Sequence, residues 1–591
     1  MKIESLHIQG FRNFSDCKIK LNKHTLIVGE NDIGKSNLLH ALRLLFDPSF
    51  GSRDFELDDS DFNISSNDSK VVVTVKLIDV NEKCLVSAFK AARTHDGTVY
   101  VRFLQEKGKD YLFFTGPSLD KLEEAGSRYY IQHLQMDYVG STRDLSKYLK
   151  RQQNKLLSVA RLQRSDKQEQ KDQIALKSIQ DSIDSLNTKI SELQYISHSL
   201  KVVNEHMAAL SSLNEDYQIK FVAGNTDARA LVDNLKLAYL SGDAPLSFGG
   251  DGRRNQMYFA AWLSEQKVPP RNRREKVIFY AIEEPEAHLH PQQQRYLSKY
   301  LSSNLNEQIL MTTHSPQILA HFTNGNIVRL VKDSASHITK STTYSTEANE
   351  ALYSFGYRLN SITSEVFFSR GVLLVEGVSE VLLYTALSSA LEIDLDRLNL
   401  SILSVEGVGF KKYVDVCISL DIPFIVRTDN DIFKVPAREL PKESEAEWYR
   451  YAGVARAADL LMMQKGRVPE STISTIELNK PFLVWEGELS GERNKEAAET
   501  IKQLAEKNGI HLALKDLEND LAGGPLRDQL AEHYDKHEAT EIAKQMQKRK
   551  AESMYSFLKI GPDLSPLKHD QIASPLLALV ERVSNAAIAQ R

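Results

Sequence analysis

Two groups of residues in this sequence have the types and spacing needed for chemistry. The first is the segment Gly29-Glu30-Asn31-Asp32-Ile33-Gly34-Lys35-Ser36, which fits the phosphate-loop pattern G-x-x-x-x-G-K-[ST]. In such a loop the glycines let backbone N–H groups surround phosphate oxygens, the lysine approaches the β- and γ-phosphates, and the serine hydroxyl is a ligand for Mg²⁺. We therefore predict a nucleotide site that comprises Asn31, Gly34, Lys35, Ser36 and Asn37.

The same site needs carboxylates delivered by a buried strand, and the apolar run at residues 277–282 supplies them. It is followed by Glu283, which we expect to hold the Mg²⁺ shell, and by Glu284, which we expect to orient the attacking water. Two adjacent ionised carboxylates are costly without a nearby cation, which favours this function over a structural one. The next predicted strand ends before His314, which we expect at the γ-phosphate.

The second group consists of carboxylates that follow two further predicted strands. Glu376 follows residues 371–375, and Glu380 lies four residues later on the same side. Asp429 and Asp431 follow residues 424–428, and alternation directs both to one side. Adjacent parallel strands would gather these four groups at one sheet edge, where they would repel each other without divalent cations between them. Oxygen-only ligands favour Mg²⁺ or Mn²⁺ over Zn²⁺.

A third acidic cluster, Lys515-Asp516-Leu517-Glu518-Asn519-Asp520, offers ligands for a second metal ion. We expect Asp516 and Glu518 to be those ligands. The alternative is an acidic helix start that faces solvent, where carboxylates interact favourably with the helix dipole. The cluster by itself leaves both interpretations open.

Hydrophobic patterning predicts the elements that must position these residues. Alternation at residues 3–8 and 17–21 predicts a hairpin, and residues 25–28, 36–46 and 276–282 predict a strand, a helix and a strand around the phosphate loop. Further strands are predicted at 71–77, 99–103, 308–313 and 326–331. Strands and helices alternate again after residue 369, which predicts a second parallel sheet. The fold class is therefore α/β.

A long polar segment separates the phosphate loop from the strand that precedes Glu283. From Asp144 to Leu213 the chain has no proline and no glycine, and apolar residues recur at spacings of three and four. This seam comprises Ile179, Ile183, Leu186, Ile190, Leu193, Ile196 and Leu200. It needs a partner surface, which is either the helix's own domain or a second helix in a helical hairpin or dimerising arm.

Composition bounds the class of protein without identifying it. With 591 residues the chain has room for about four domain-sized units. The net charge of −5 argues against a uniformly basic coat for nucleic acid, and the three separated cysteines support neither a disulfide framework nor a CxxC zinc site. The apolar runs are far shorter than the ~18 residues of a membrane span, and the N-terminus lacks a signal-peptide pattern, so we expect a cytoplasmic protein with no membrane partner.

The first group of motifs resembles the ABC-type ATPases of the RecF and SMC group. The resemblance rests on the phosphate loop, on Ile282-Glu283-Glu284-Pro285-Glu286-Ala287-His288-Leu289-His290-Pro291 and on His314-Ser315-Pro316. It implies that ATP lies between two facing heads, with a signature loop from the partner head. The segment Gly249-Gly250-Asp251-Gly252-Arg253-Arg254 is similar to that loop in a degenerate form that departs from Leu-Ser-Gly-Gly-Gln. Its alternative interpretation is a glycine-rich surface turn.

The glutamate-ended strand and the D-x-D motif resemble the Toprim fold, and an ABC head followed by Toprim resembles the OLD (overcoming lysogenization defect) family of nucleases. The similarity is close to the OLD nucleases of the Gabija anti-phage system and to those associated with retrons. It implies an ATPase domain at residues 1–355 with an inserted helical dimerisation segment at 144–225, and a Toprim domain with a C-terminal helical extension at 356–591.

The resemblance also implies an activity, an ATP-regulated endonuclease or nickase of anti-phage defence that hydrolyses double-stranded DNA with two divalent cations. It assigns a catalytic cation to Lys550, although a basic helix is more often a solvated or phosphate-contacting face. It further implies a dimer or tetramer, with either a helicase partner, as in Gabija, or a reverse transcriptase with its msDNA, as in retrons.

The alternative is an SMC- or RecF-like ATP-driven DNA-binding repair protein whose Toprim half is structural. A topoisomerase or primase would need a placed tyrosine or a zinc module, and no Cys/His cluster supplies the zinc.

Overall fold

The computed structural model describes residues 1–63, 69–141, 164–194, 227–233, 250–266, 276–322, 325–332, 339–344, 363–406, 409–436, 448–483 and 491–588, with short stretches at 157, 160–161, 196–198, 201, 204, 239–241 and 244–246. These residues form two compact units. The first comprises Met1–Val139, Lys276–Glu286 and Pro291–Arg591, and the second comprises Gly140–Glu275 and Ala287–His290. The predicted boundary between residues 355 and 356 lies outside the described residues.

The strands are β1 (Lys2–Phe11), β2 (Phe14–Lys20), β3 (His24–Val28), β4 (Lys70–Ile78), β5 (Val99–Glu106), β6 (Tyr111–Gly116), β7 (Glu123–Ala125), β8 (Leu134–Val139), β9 (Tyr239–Ser241), β10 (Ala244–Leu246), β11 (Val277–Glu283), β12 (Ile309–Thr312), β13 (Asn326–Lys332), β14 (Thr339–Tyr344), β15 (Gly371–Val375), β16 (Leu400–Ser404), β17 (Phe424–Thr428), β18 (Ile432–Lys434), β19 (Tyr449–Tyr451) and β20 (Ile510–Leu512). Every strand that the patterning predicts is among them.

The helices are α1 (Lys35–Phe46), α2 (Ser52–Phe55), α3 (Lys83–Phe89), α4 (Asp166–Ser191), α5 (Ala228–Asp233), α6 (Asp251–Gln266), α7 (Pro291–Asn304), α8 (Pro316–His321), α9 (Val378–Ala390), α10 (Leu395–Leu398), α11 (Phe410–Ser419), α12 (Ala452–Met462), α13 (Glu470–Asn479), α14 (Gly491–Lys507), α15 (Leu517–Gly523), α16 (Arg527–Tyr534), α17 (Ala539–Lys548), α18 (Lys550–Lys559) and α19 (Ser574–Ile588). Short 3₁₀ turns join several of them. In the described part of the chain no helix has the length and apolar character that crossing a membrane requires.

The first half of the first unit packs two six-stranded sheets around one core. One sheet is antiparallel in the order β2-β1-β4-β5-β6-β7. The other has the order β14-β13-β3-β12-β11-β8 and is parallel except at its β13–β14 edge. Strand β3 is buried at all five positions, as expected for a strand covered on both faces. This second sheet carries the phosphate loop between β3 and α1.

The second half of the first unit contains a four-stranded parallel sheet in the order β16-β15-β17-β20. Strands β15 and β17 are buried at every position and lie side by side, so their carboxyl ends meet at one edge. A core that includes Leu373, Tyr384, Leu521 and Phe557 joins this sheet to the C-terminal helices. The predicted α/β class with two parallel sheets is confirmed.

In the second unit, α4 carries part of the predicted apolar seam. Ile183 is buried, whereas Ile179, Leu186 and Leu193 are exposed on this chain. The Gln180 side chain accepts a hydrogen bond from the backbone of Ala228 at the start of α5 (2.8 Å). Leu200 and much of the predicted segment 144–225 lie outside the described residues, so the dimerising arm stays a prediction.

Candidate functional site

The phosphate loop has the backbone geometry that its sequence predicts. Gly34 has φ +104°, and a Cβ there would lie 2.1 Å from the Asn13 amide nitrogen, so no other residue fits without displacing Asn13. The Lys35 ammonium donates to the carbonyl oxygens of Gly29 (3.0 Å) and Glu30 (2.7 Å). Burial lowers the pKa of Lys35 to about 8, against the charge of Glu284 and other nearby carboxylates. The loop thus holds a buried cation at the start of α1.

The other predicted nucleotide-binding residues differ in their surroundings. Asn31 and Ser36 lie within the loop and are exposed. Asn37 instead accepts a hydrogen bond from Arg12 (2.8 Å) and donates one to Asn13 (2.7 Å). The Asn37 side chain therefore ties α1 to the β1–β2 turn, and its predicted contact with nucleotide stays a prediction.

The carboxylates after β11 lie next to this loop because β11, β12 and β3 are neighbours in the sheet. Glu283 is buried at the end of β11, in register with Thr312. The backbone N–H of Glu284 donates to the Thr312 carbonyl (3.0 Å), and Glu284 Oε1 lies 3.5 Å from His314 Nε2. Burial and the charge of Lys35 lower the pKa of His314, against the charge of Glu284, so the imidazole is neutral at pH 7.

Glu286 supports this arrangement, although the motif had no assigned role for it. Its Oε1 atom accepts hydrogen bonds from the Thr313 hydroxyl and from the backbone N–H of His314, both at 2.7 Å. Burial raises its pKa, while these two hydrogen bonds oppose the rise. Glu286 thus fixes the loop that presents His314.

The second site forms at the shared edge of β15 and β17. Glu376 follows β15, and its Oε1 atom accepts hydrogen bonds from the Thr428 hydroxyl (2.6 Å) and from the backbone N–H of Asp429 (2.9 Å). Arg456 of α12 donates to the same oxygen through Nη1 (2.5 Å), and through Nη2 to Asp431 Oδ2 (2.7 Å). One guanidinium therefore joins two of the predicted carboxylates.

Asp429 lies on the inner side of this network. Its carboxylate is 3.3 Å from Arg427 Nη1 and 3.8 Å from Lys550 Nζ. Burial and the charge of Glu376 raise the pKa of Asp429 to about 7, while Arg427 and Lys550 act in the opposite direction. A carboxyl with so high a pKa lacks a full counter-charge, as expected at a cation-binding edge.

Lys550 opens α18 and links Asp429 to the third acidic cluster. Its Nζ atom lies 3.2 Å from Glu518 Oε2, and Glu518 is 1% exposed. Burial works against the charged lysine, but Glu518 and Asp429 outweigh it and raise the pKa of Lys550. Among the described residues Glu518 Oε1 has no hydrogen-bond partner. A buried carboxylate with an unused oxygen fits a metal ligand better than a surface charge.

The other predicted ligands occupy two different settings. Glu380 is buried in the first turn of α9 and accepts a hydrogen bond from the Ser379 hydroxyl (2.9 Å). Asp516 caps α15 by accepting from the backbone N–H of Asn519 (2.8 Å), and it also accepts from the Gln547 side chain (2.9 Å). Because Asp516 is occupied at the helix start, the structure does not bring it into the network of Asp429, and its metal role stays a prediction.

Sequence patterning gave no role to three participants. Arg456 lies in an ordinary helical segment, Arg427 is part of a predicted strand, and Asp520 belongs to the third acidic cluster without an assigned partner. Arg427 is 3% exposed and lies 3.4 Å from Asp520 Oδ2, opposite its contact with Asp429. The one available signal was a buried-strand arginine immediately before a D-x-D motif, because a buried guanidinium needs carboxylate partners.

The basic side chains determine how closely the carboxylates approach each other. Within the described ranges no three His, Cys, Asp or Glu side chains converge tightly enough to hold a metal ion. Arg456, Arg427 and Lys550 stand between the acidic groups instead. All the candidate ligand atoms are carboxylate oxygens, Glu518 is buried with an oxygen that has no hydrogen bond, and the raised pKa of Asp429 shows that nearby cations do not fully balance its charge. The residues therefore fit a divalent cation that prefers oxygen ligands.

Models of two protein families match two separate parts of the chain. The family model described as AAA ATPase domain matches residues 1–133 and 118–319, more than half of the chain. The model described as overcoming lysogenization defect protein-like, TOPRIM domain, matches residues 367–431. The second match includes Glu376, Glu380, Asp429 and Asp431.

Curated relatives resemble the chain over most of its length. Endonuclease GajA from Bacillus cereus (strain VD045) is 28% identical over 88% of this chain and 89% of its own length. OLD nuclease from Thermus scotoductus (strain ATCC 700910 / SA-01) is 26% identical over 74% of this chain and 83% of its own. Old nuclease from Escherichia phage P2 is 25% identical over 69% of this chain and 73% of its own.

Proposed function

Because this chain belongs to the AAA ATPase family, in the form that carries a Toprim domain of the overcoming lysogenization defect (OLD) type, we propose that it is an ATP-regulated, metal-dependent endonuclease or nickase acting on double-stranded DNA. The observation that carries the proposal is the joined set of Glu376, Asp429, Asp431 and Glu518 at one edge of the second parallel sheet. The relatives named endonuclease GajA and OLD nuclease support it.

The residues that would hold divalent cations are Glu376, Asp429, Asp431 and Glu518, with Glu380 beside them. When bound, a pair of Mg²⁺ or Mn²⁺ ions activates a water molecule and stabilises the leaving 3′-oxygen. Lys550 stays protonated at neutral pH because Asp429 and Glu518 raise its pKa. Its side chain is 46% exposed, so the ammonium can contact a DNA phosphate and offset the negative charge that builds up there during hydrolysis.

At the other site, Lys35 and Ser36 would bind the phosphates and the cation of ATP, with Glu283 in the metal shell. Glu284 would orient the attacking water, and neutral His314 beside it would contact the γ-phosphate. Lys35 gives up two carbonyl partners to reach a phosphate, so nucleotide binding rearranges the loop at Gly29 and Glu30.

A route for regulation starts at this loop. The Glu30 carboxylate forms a two-point ion pair with Arg370 (2.7 and 3.1 Å). Arg370 immediately precedes β15, and Glu376 immediately follows it. A buried arginine on β13, Arg329, also donates to the carbonyls of Ser369 (2.8 Å), Leu420 and Asp421 (3.1 Å each). A rearrangement of the phosphate loop at Glu30 is therefore transmitted to Glu376 through β15, whose five residues are all buried.

The test of regulation is to cut the Glu30–Arg370 pair. Arg370→Ala should retain ATP binding and metal-dependent cleavage but lose the effect of ATP on the cleavage rate. The pair is partly exposed and contributes less than about 1 kcal/mol to stability, so the variant should fold normally. Lys35→Ala, which should lose ATP binding itself, is the comparison. An undiminished ATP effect in Arg370→Ala would reject this route.

The test of the nuclease itself uses supercoiled plasmid with Mg²⁺ or Mn²⁺, with and without ATP. Wild type should convert the plasmid to nicked or linear forms, and Asp429→Ala should lose at least 100-fold of this activity, about 3 kcal/mol of transition-state stabilisation. Its ATP affinity should be unchanged. An intact plasmid under all four wild-type conditions would favour the alternative, an ATP-driven DNA-binding repair protein.

Assembly and partners extend the proposal. The exposed residues Ile179 and Leu186 on α4, with Leu193 just after its end, favour a homo-oligomer, a dimer or tetramer paired through this seam. The resemblance to the OLD nucleases of the Gabija system and of retrons further favours anti-phage defence, with a helicase partner or with a reverse transcriptase and its msDNA. Co-purification of a helicase or of a reverse transcriptase from the native host would distinguish these two.

A further inference from the structure

Arg456 occupies an unusual position for an arginine in a site built of acidic ligands. Its guanidinium donates to Glu376 and Asp431, two of the four carboxylates proposed to hold divalent cations, and it also contacts the Thr428 hydroxyl. It comes from α12, eighty residues after Glu376. The Arg456 side chain is 31% exposed, so it is not part of the hydrophobic core.

The arginine and a divalent cation would interact with the same two carboxylates. Glu376 Oε1 already accepts from Thr428 and from the backbone of Asp429, so a third interaction saturates it. A cation that bound Glu376 and Asp431 would place its charge against the guanidinium, and the two positive groups would repel each other. Binding of a metal ion at these carboxylates should therefore weaken the contacts of Arg456 with them.

We infer that Arg456 is a positioning residue that acts as the counter-ion of the metal-free site and competes with divalent cations for Glu376 and Asp431. Without metal it holds the two carboxylates together and offsets their repulsion. With metal it gives way, so it weakens cation binding and sets the cation concentration at which the site fills. This inference rests on the proposed metal-dependent function.

The experiment measures cation affinity directly, in the full-length protein without DNA. Calorimetric titration with Mn²⁺ should give about tenfold tighter binding for Arg456→Gln than for wild type, about 1.4 kcal/mol, because the cation then no longer competes with two partly exposed ion pairs. Arg456→Lys keeps the charge but cannot bridge two carboxylates, and its affinity should lie between the two. In EDTA, Arg456→Gln should melt below wild type.

The matched control is Arg467→Gln. Arg467 follows the same helix, is 39% exposed and pairs with Asp421 (3.1 Å), away from the acidic ligands. Its substitution should leave Mn²⁺ affinity unchanged.

Unchanged or weaker Mn²⁺ binding in Arg456→Gln would overturn the competition. If Arg456→Gln does not fold, the Arg456→Lys variant decides alone, and wild-type affinity there has the same meaning. Absence of Mn²⁺ binding in wild type would instead reject the proposed function along with this inference, so the two failures are distinguishable.

Discussion

Replacing Asp429 by asparagine should stabilise the metal-free protein at neutral pH while it abolishes metal-dependent cleavage. Asparagine has the shape of the protonated aspartic acid but carries no charge at any pH. The aspartate has a folded-state pKa of about 7 against an ordinary value of 3.8, because burial and Glu376 disfavour its ionised form. At 1.36 kcal/mol per pH unit, this rise in the pKa means that the ionised Asp429 destabilises the folded protein by about 4 kcal/mol.

The sign of the pH dependence follows from the direction of this shift. A carboxyl whose pKa is raised on folding favours the folded state most below 3.8, and this advantage is lost as the pH rises to about 7. The wild type should therefore become less stable than Asp429→Asn as the pH rises from about 4 to 7. Above pH 7 the difference in their free energies of unfolding should stay at about 4 kcal/mol. At pH 5 the gap should be roughly 2 kcal/mol.

The assay is denaturant unfolding in EDTA at half-unit steps from pH 5 to pH 8. Asp528→Asn, which removes an exposed carboxylate from α16, should shift stability by less than about 0.5 kcal/mol and is the control. In excess Mg²⁺ the order should reverse, because wild type gains binding free energy that the variant has lost. A gap that does not change with pH, or a variant less stable than wild type at pH 8 in EDTA, would refute the reasoning.

Three further predictions concern the rest of the first unit. Lys35→Ala should weaken ATP binding at least 100-fold without unfolding the protein, measured by nucleotide titration and circular dichroism; wild-type affinity would reject the phosphate-loop assignment. Gly34→Ala should destabilise the protein by about 1–3 kcal/mol in thermal unfolding, because φ +104° and the 2.1 Å approach to Asn13 exclude a Cβ, whereas the open Gly108 on the β5–β6 turn should cost less. Arg329→Met should destabilise it by about 3 kcal/mol or more, because three backbone carbonyls lose a buried charged donor; a loss below about 1 kcal/mol would show that Arg329 does not join the two halves.

Local patterning was sufficient for the elements and for the residues that follow them directly. Strands β3, β11, β15 and β17 are short apolar runs, and a run of that kind is buried wherever the sheet is covered on both faces. Since chemistry-bearing residues at the carboxyl ends of parallel strands share one edge, Glu376 and Asp429 could be placed together from the sequence. The phosphate loop was equally predictable, because its glycines and lysine are set by backbone geometry within eight residues.

The sequence by itself therefore determined the two parallel sheets and which carboxylates end their strands. The tertiary structure decided which cations those carboxylates meet. Glu376 pairs with Arg456, Asp429 lies beside Lys550, and Glu30 of the phosphate loop pairs with Arg370, 340 residues away. Hydrophobic periodicity predicts only which face of its own helix or strand a side chain occupies. Which opposite charge that side chain contacts depends on how segments distant in sequence pack against each other.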